Sequence, residues 1–235
     1  MSKDRILRNH HDNIVYDVND WVLLKQKRKN AIELMEIFVK EGLNPFIYGS
    51  IARGNVHKFS DIDIIFLQQI PSYKIEYILS KNGNNNYVKE IIMATPHDSL
   101  KLFIYLSELE CITLPLTKMD NKSIEFFDFG GKIDFEQLKL DARVPGIDKR
   151  LVLVKPNQKG HEEISVIDNE ILVSKETGIS IRSINERIKV LLKREKYGRT
   201  GVFLKRQLQQ NENPEEVIKK IARRKSIIRK KIYLK

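Results

Sequence analysis

The chain is poor in the residues that build cross-linked, fibrous or membrane-spanning proteins. It has one cysteine, Cys111, in 235 residues, which excludes a disulfide framework and any multi-cysteine zinc or iron–sulfur site. No stretch approaches the roughly 18 unbroken apolar residues that a membrane span needs. Its first residues, MSKDRILRNHHDN, are polar and charged, so we expect a cytoplasmic protein. The 41% hydrophobic residues are enough for a folded core.

Acidic residues are scarce only at the C-terminal end. Residues 181–235 hold 18 lysines and arginines against 5 acids, whereas the rest of the chain holds 24 against 26. A near-neutral body with one basic end is what binding to a phosphate backbone requires, because each neutralised phosphate releases condensed counterions. A solvated basic tail is the alternative that charge alone leaves open.

Hydrophobic periodicity predicts a small α+β domain in residues 1–120. The predicted elements are a helix over 20–41 capped by Asn19 or Asp20, strands over 45–48 and 62–67, a helix over 71–81, and strands over 87–95, 100–106 and 111–116, of which the last two may pair as a hairpin. A helix–strand–strand–helix order followed by several strands is typical of a mixed sheet with helices against it.

The remainder is predicted as two further segments. Residues 121–167 form an intermediate segment packed on the first domain, with a helix that stops at Gly130-Gly131 and a strand over 151–154. Residues 168–235 form a mainly helical, basic domain that ends in one helix over 214–235, with Pro214 at its first position.

The most informative stretch is FIYGSIARGNVHKFSDIDIIFL, residues 46–67. Residues two apart on a strand point to the same side, so Asp61 and Asp63 place two carboxylates together. Such carboxylates repel each other until a hard cation binds between them, and Mg²⁺ accepts one or two carboxylates plus substrate phosphates. Gly49 lets the backbone approach a phosphate closely, and the Ser50 hydroxyl can bind its oxygens. These residues predict a site for a nucleoside triphosphate with metal ions.

The spacing Gly-Ser-x10-Asp-x-Asp resembles the signature of the DNA polymerase β-like nucleotidyltransferase superfamily, most closely its minimal nucleotidyltransferase branch, and the resemblance covers residues 20–116. It implies an α+β fold and transfer of a nucleotidyl group to a hydroxyl, with two Mg²⁺ ions as cofactor and ATP as the expected substrate. Carried over by position, the nucleotide-binding residues are Gly49, Ser50, Arg53 and Ser60, and the catalytic metal ligands are Asp61 and Asp63.

The chain departs from the family pattern at a third carboxylate, which the family usually carries on a later strand. The strand over 100–106, LKLFIYL, has no acid. Glu90, Glu110 and Asp128 are the candidates elsewhere, and the absence of any third acid is the alternative. Without a third acid, catalysis itself would be in question.

A second motif lies in the basic region and resembles a helix-turn-helix. A helix from Glu170 would end near Thr177, Gly178 would make the turn, and Ser180 would cap the second helix. The residues left free to contact nucleic acid are Arg182, Ser183, Asn185 and Lys189. Residues 197–203 could add a wing-like hairpin. An ordinary helix pair packed on the body is the alternative.

The leading hypothesis is therefore a Mg²⁺-dependent nucleotidyltransferase. Its partners are a nucleoside triphosphate and an acceptor hydroxyl on a protein, an RNA end or a small molecule, with DNA or RNA bound through the basic end and no membrane involved. The alternative is a nucleic-acid-binding regulator whose nucleotidyltransferase domain senses nucleotide or is inactive.

Overall fold

The computed structural model describes residues 5–198 and 201–233, which form two β-sheets with helices against them. The strands are β1 (His11–Val15), β2 (Phe46–Tyr48), β3 (Ile62–Ile65), β4 (Val88–Met93), β5 (Lys101–Ser107), β6 (Glu110–Pro115), β7 (Lys132–Asp134), β8 (Gly146–Ile147), β9 (Val152–Asn157), β10 (Gly160–Ser165) and β11 (Leu204–Leu208). The larger sheet has the order β11-β4-β5-β6-β3-β2-β7, and the smaller has β1-β10-β9-β8.

The helices lie between and beside these strands. They are α1 (Val18–Val39), α2 (Ser50–Arg53), α3 (Ser72–Lys81), α4 (Asn121–Gly130), α5 (Phe135–Lys139), α6 (Glu170–Thr177), α7 (Ile181–Tyr197), α8 (Pro214–Arg224) and α9 (Ser226–Tyr233). In the larger sheet β3 and β6 run parallel and the other pairs run antiparallel. The predicted α+β class with a mixed sheet is confirmed, and so is the β5–β6 hairpin.

The long first helix begins earlier than predicted. Asp17, not Asn19 or Asp20, is its N-cap, with an extended backbone. The Asp17 carboxylate accepts a hydrogen bond from the Asp20 amide at 2.9 Å, and the Asp20 carboxylate accepts one from the Asp17 amide at 3.0 Å. This reciprocal pair satisfies two amide donors that a helix start leaves unpaired, so Asp20 lies inside the helix.

The core of the larger sheet includes residues from the far end of the chain. Met35 and Phe38 of α1 are fully buried against it together with Ile64 of β3. Ile218 of α8 and Ile228 of α9 are buried in the same cluster. The first domain therefore draws part of its core from residues after position 204.

The C-terminal region differs from the prediction in two respects. The single helix predicted over 214–235 is interrupted at Lys225, whose extended backbone separates α8 from α9. Residues 204–208 form β11, which pairs with β4 at the edge of the larger sheet. The helices α6 and α7 instead pack against the smaller sheet, where Val173, Ile184 and Leu153 share a second core. Residues 168–198 and 204–233 thus belong to different cores, and the limits proposed at 120 and 167 stay predictions.

Within the described residues, no helix combines the length and apolarity required to traverse a lipid bilayer.

Candidate functional site

The Gly49–Ser50 turn connects β2 to the short helix α2. Gly49 has φ +86° and ψ −145°, a conformation that strains any residue with a Cβ. Its amide donates a hydrogen bond to the Gly131 carbonyl at 2.9 Å, which fixes the turn against the end of α4. Ser50 follows as the first helical residue and lines a large cleft beside the turn. The predicted phosphate-binding pair is therefore placed at an open, rigid turn.

The two predicted metal ligands lie at the start of β3, one strand away from that turn. Asp63 pairs in register with Tyr48 of β2 on one side and with Cys111 of β6 on the other. Asp61 precedes the strand and is exposed. Burial, and secondly the charge of Asp61, raises the pKa of Asp63 to about 6. The position is therefore costly for an uncompensated negative charge.

Asp61 and Asp63 line two cavities. A cleft of about 760 Å³ is also lined by Gly49 and Ser50. A smaller cavity of about 190 Å³ is also lined by residues of β5 and β6, Tyr105 among them. Asp61 and Asp63 are the residues that these two cavities share. The two aspartates are therefore accessible to a ligand in either cavity.

Three further lysine or arginine residues line the large cleft, Lys149, Arg150 and Arg187, and none was singled out from the sequence. Lys149 is exposed in the β8–β9 loop, where its charge lowers the pKa of Asp63. Arg187 reaches the cleft from α7, on the helix face opposite to Arg182, Asn185 and Lys189, whereas Ser183 lies one turn before it on the same face. None of the three is near Asp63 in sequence, so no local motif could have indicated any of them.

The two weaker phosphate candidates are engaged in holding the turn together. Arg53 is buried, and its guanidinium donates to the Gly130 carbonyl at 2.5 Å and to the Asn55 side chain at 3.1 Å. Burial lowers its pKa to about 10. Ser60 is also buried, and its hydroxyl accepts the amide hydrogen bond of His57 at 2.9 Å. Both line the cleft, but these bonds make them supports of the loop between Gly49 and Asp61.

A buried polar network supports the loop that carries Lys149. The carboxylate of Glu163 on β10 bonds to His10 at 2.7 Å, to Arg150 at 2.5 Å and to His161 at 3.3 Å. Arg150 also bonds to Asp148 at 2.7 Å. These contacts, the His161 bond foremost, lower the pKa of Glu163 to about 2. The network thus fixes residues 148–150 at the rim of the cleft.

Of the three candidates for a third carboxylate, only Glu110 lies beside the metal ligands. It lines the small cavity together with Asp61 and Asp63. Asp128 lies on α4 and forms an ion pair with Lys132, and Glu90 pairs with Lys205 at 3.1 Å. In the part of the chain that the structure describes, no group of three potential ligands converges on one point. Glu110 therefore borders the site without completing a three-acid cluster.

The helix pair of the basic region has the predicted local structure. Gly178 ends α6 with a left-handed backbone, and the Ser180 hydroxyl accepts the Ser183 amide hydrogen bond at 3.3 Å as the cap of α7. Arg182, Asn185 and Lys189 are exposed. Nucleic-acid binding by these residues stays a prediction. The predicted wing includes residues 199 and 200, which lie outside the described residues.

The donor set at Asp61 and Asp63 fits a magnesium ion. No ion pair or hydrogen bond joins either carboxylate to another side chain within residues 5–198 and 201–233. Two unpaired carboxylates at one place repel each other, and a hard divalent cation relieves that repulsion. Two carboxylates that line open space also leave room for phosphate oxygens as further ligands. Asp61 and Asp63 are therefore the residues that would hold Mg²⁺.

Comparison with known proteins gives one match. Residues 32–234 match the family model described as the nucleotidyltransferase domain, which covers the whole site and most of the chain. No curated protein and no solved structure matches the chain significantly. The match spans both the Gly49–Asp63 motif and the C-terminal elements that complete the larger sheet. The chain therefore belongs to the nucleotidyltransferase family.

Proposed function

We propose that the protein transfers a nucleoside monophosphate from a nucleoside triphosphate to an acceptor hydroxyl in a Mg²⁺-dependent reaction. The observation that carries this proposal is the unpaired Asp61–Asp63 carboxylate pair that lines two cavities, beside the Gly49–Ser50 turn. Phosphoryl transfer is in-line, with the attacking and leaving oxygens on opposite sides of phosphorus. A pair of metal ligands that is accessible from two cavities suits this geometry.

The large cleft is the proposed place of the donor nucleotide. The open turn at Gly49 and Ser50 can approach the phosphates, and Lys149 supplies a cation near Asp63. Mg²⁺ held by the two aspartates would neutralise charge on the phosphates during transfer. The residues of the chain then act mainly by positioning the triphosphate, which is the main role of protein groups in this chemistry. We propose adenine as the base of this donor nucleotide.

The small cavity is the proposed entrance for the acceptor. The acceptor oxygen would attack the α-phosphorus, the bond to the β-phosphate oxygen would break, and pyrophosphate would leave towards Lys149. The Glu110 carboxylate, which lines this cavity, would accept the proton of the acceptor hydroxyl. The described lining of the cavity holds carboxylates but no lysine or arginine. An acceptor without phosphates next to its hydroxyl, such as a small molecule or a protein side chain, is therefore favoured over an RNA end.

The test is transfer of label from α-³²P nucleoside triphosphates with Mg²⁺, using the purified protein with candidate acceptors. The wild type should release pyrophosphate and label the acceptor. The variant Asp61→Asn with Asp63→Asn should lose at least about 1000-fold in rate, a scale typical of lost electrostatic stabilisation. Glu33→Gln with Glu136→Gln removes two exposed carboxylates elsewhere and should leave the rate unchanged. Equal rates in the wild type and the aspartate variant would refute the proposal.

Nucleic-acid binding through the basic region is a second proposal. It rests on the exposed positions of Arg182, Asn185 and Lys189 along α7 and on the C-terminal excess of positive charge. Phosphate contacts of this kind would make the affinity fall steeply with salt. In this proposal the protein acts as a binding protein or regulator, with or without transfer activity.

A further inference from the structure

Arg187 is a half-buried cation that forms no ion pair with a carboxylate among the described residues. Its Nε atom is inaccessible to solvent and has no hydrogen-bond acceptor among those residues. Burial, and secondly the charge of Arg194, lowers the pKa of its guanidinium to about 10, and Tyr48 opposes that change. The side chain therefore stays cationic at neutral pH. Leaving a desolvated cationic donor unpaired costs free energy, and an anionic ligand within its reach would offset that cost.

Two aromatic rings hold this side chain in place. The guanidinium carbon lies 4.8 Å from the ring centre of Phe126 and 5.7 Å from that of Phe129, both on α4. Such contacts orient a guanidinium without using its N–H donors. The Ser180 hydroxyl at the start of α7 also bonds to Glu125 of α4 at 3.0 Å. The position of Arg187 is thus set by the packing of α7 on α4, and its two terminal nitrogens donate no hydrogen bond to the described residues.

The free donors are next to the turn that the proposed function assigns to phosphate. Arg187, Gly49 and Ser50 line the same cleft. Tyr48 connects them, because it directly precedes Gly49 and pairs with Asp63 in the sheet. Burial raises the pKa of Tyr48, and the charge of Arg187 opposes that rise. An anion bound at this turn would lie within the field of Arg187, where burial makes that field stronger than in water.

We propose that Arg187 binds the polyphosphate of the donor nucleotide, so that α7 completes the donor site. This inference rests on the proposed function. A planar guanidinium can donate two parallel hydrogen bonds to phosphate oxygens, and the ligand would supply the negative charge that the protein lacks at this point. The exposed face of α7, with Arg182 and Lys189, is free for another role. One face of α7 would thus contact the nucleotide, and the opposite face would contact solvent or nucleic acid.

Calorimetry with the full chain tests this assignment, using Mg·ATP, magnesium tripolyphosphate and AMP as probes. Arg187→Gln should weaken the binding of Mg·ATP and tripolyphosphate by about 10- to 100-fold, the effect of one or two lost charge-assisted hydrogen bonds. AMP affinity should change by less than about 3-fold. Arg187→Lys retains a point charge but not the paired donors, so its loss for tripolyphosphate should be intermediate. Lys193→Gln removes another exposed cation of α7, six residues further along the helix, and should have no effect.

The outcomes separate this inference from the proposed function. If the wild type binds Mg·ATP and Arg187→Gln binds it equally well, the inference is wrong and the proposed function stands. An equal loss for AMP and ATP would place Arg187 at the base or sugar and would also overturn the inference. If the wild type binds no nucleoside triphosphate, both fail. Should Arg187→Gln not fold, Arg187→Lys decides, because wild-type affinity for tripolyphosphate in that variant would contradict paired donation.

Discussion

Two carboxylates, one on each sheet, have opposite surroundings. On the smaller sheet, the Glu163 carboxylate is bonded to two histidines and an arginine, and its pKa is lowered to about 2. On the larger sheet, the Asp63 carboxylate has no side-chain partner among the described residues, and burial raises its pKa to about 6. A carboxylate that the protein itself satisfies stabilises the fold, whereas one left unsatisfied is suited to a ligand. This contrast distinguishes the carboxylate that is suited to a ligand, Asp63, from the one that stabilises the fold, Glu163.

Removal of the satisfied carboxylate tests the first half of this comparison and should have the largest effect on stability. Glu163→Gln should lower the free energy of unfolding by about 2 kcal/mol at pH 7, less than the full pKa shift would give because the cluster borders solvent. Glu162→Gln, which alters an exposed pair with His11, should cost under about 0.5 kcal/mol. Urea unfolding of both variants measures the difference.

The Glu163 carboxylate also makes the free energy of unfolding depend on pH, and the direction of that dependence follows from its pKa. The folded pKa of Glu163 is lowered from 4.5 to about 2, so its contribution is present above about pH 4.5 and is lost as the pH falls towards 2. The difference between the wild type and Glu163→Gln should therefore shrink over that range. A constant difference down to pH 3 would contradict the role assigned to the network.

Removal of the unsatisfied carboxylate should act in the opposite direction, with a smaller magnitude. Asp63 has a folded pKa raised from 3.8 to about 6, so the metal-free wild type should lose stability as the pH rises through that window. Asp63→Asn should then be more stable than the wild type at pH 7 by about 1 to 2 kcal/mol. Thermal unfolding in chelator, with Asp12→Asn as an exposed control, measures it.

Repeating the unfolding of the wild type and Asp63→Asn with Mg²⁺ makes the comparison more specific. Added Mg²⁺ should stabilise the wild type and leave Asp63→Asn nearly unchanged, because binding to the folded state alone raises its stability. The advantage of the variant should then shrink or reverse. If Asp63→Asn is destabilised in chelator, the carboxylate makes a structural contact and the comparison between the two carboxylates fails.

The exposed cations of α7 should show the smallest effect on stability. Arg182→Glu with Lys189→Glu should change the free energy of unfolding by under about 1 kcal/mol, because both side chains are solvated. If α7 binds nucleic acid, the same variant should lower the affinity for duplex DNA or RNA and reduce its salt dependence, by about 0.9 per lost B-DNA phosphate contact. Lys29→Glu with Lys40→Glu, also exposed, is a control of equal charge in gel-shift titrations at several salt concentrations.

The part of the site that could be predicted is the part that is local in sequence. Gly49, Ser50, Asp61 and Asp63 lie within fifteen residues, so turn chemistry and strand alternation suffice to bring them together. Arg187 enters the cleft only because α7 packs on α4, a contact between segments about sixty residues apart. Periodicity shows which face of a helix is apolar, but not which neighbour that face will meet.

The secondary structure shows the same difference between local patterns and contacts that are distant in sequence. The β5–β6 hairpin and the helix α3 follow from local patterns and are confirmed. The strand β1 pairs with β10, roughly 150 residues later, and nothing in its sequence HDNIV indicates that partner. The β9–β10 hairpin could have been predicted from such a local pattern, because its two-residue loop is followed directly by Gly160 at the start of β10. The pairing of edge strands with partners distant in sequence is thus the feature that a single sequence does not predict.

The pairing of β11 with β4 makes the completion of the larger sheet depend on residues 204–208. The chain emerges from the ribosome N-terminus first, and the motif from Gly49 to Asp63 is translated long before residues 204–208 exist. Until then β4 presents an unpaired edge, and the core lacks Ile218 and Ile228. An exposed strand edge invites pairing with other chains. Nascent chains, and chains truncated before residue 204, should therefore depend on chaperones and aggregate more readily than chains that include residues 204–233, although all of their Asp61–Asp63 motif is already present.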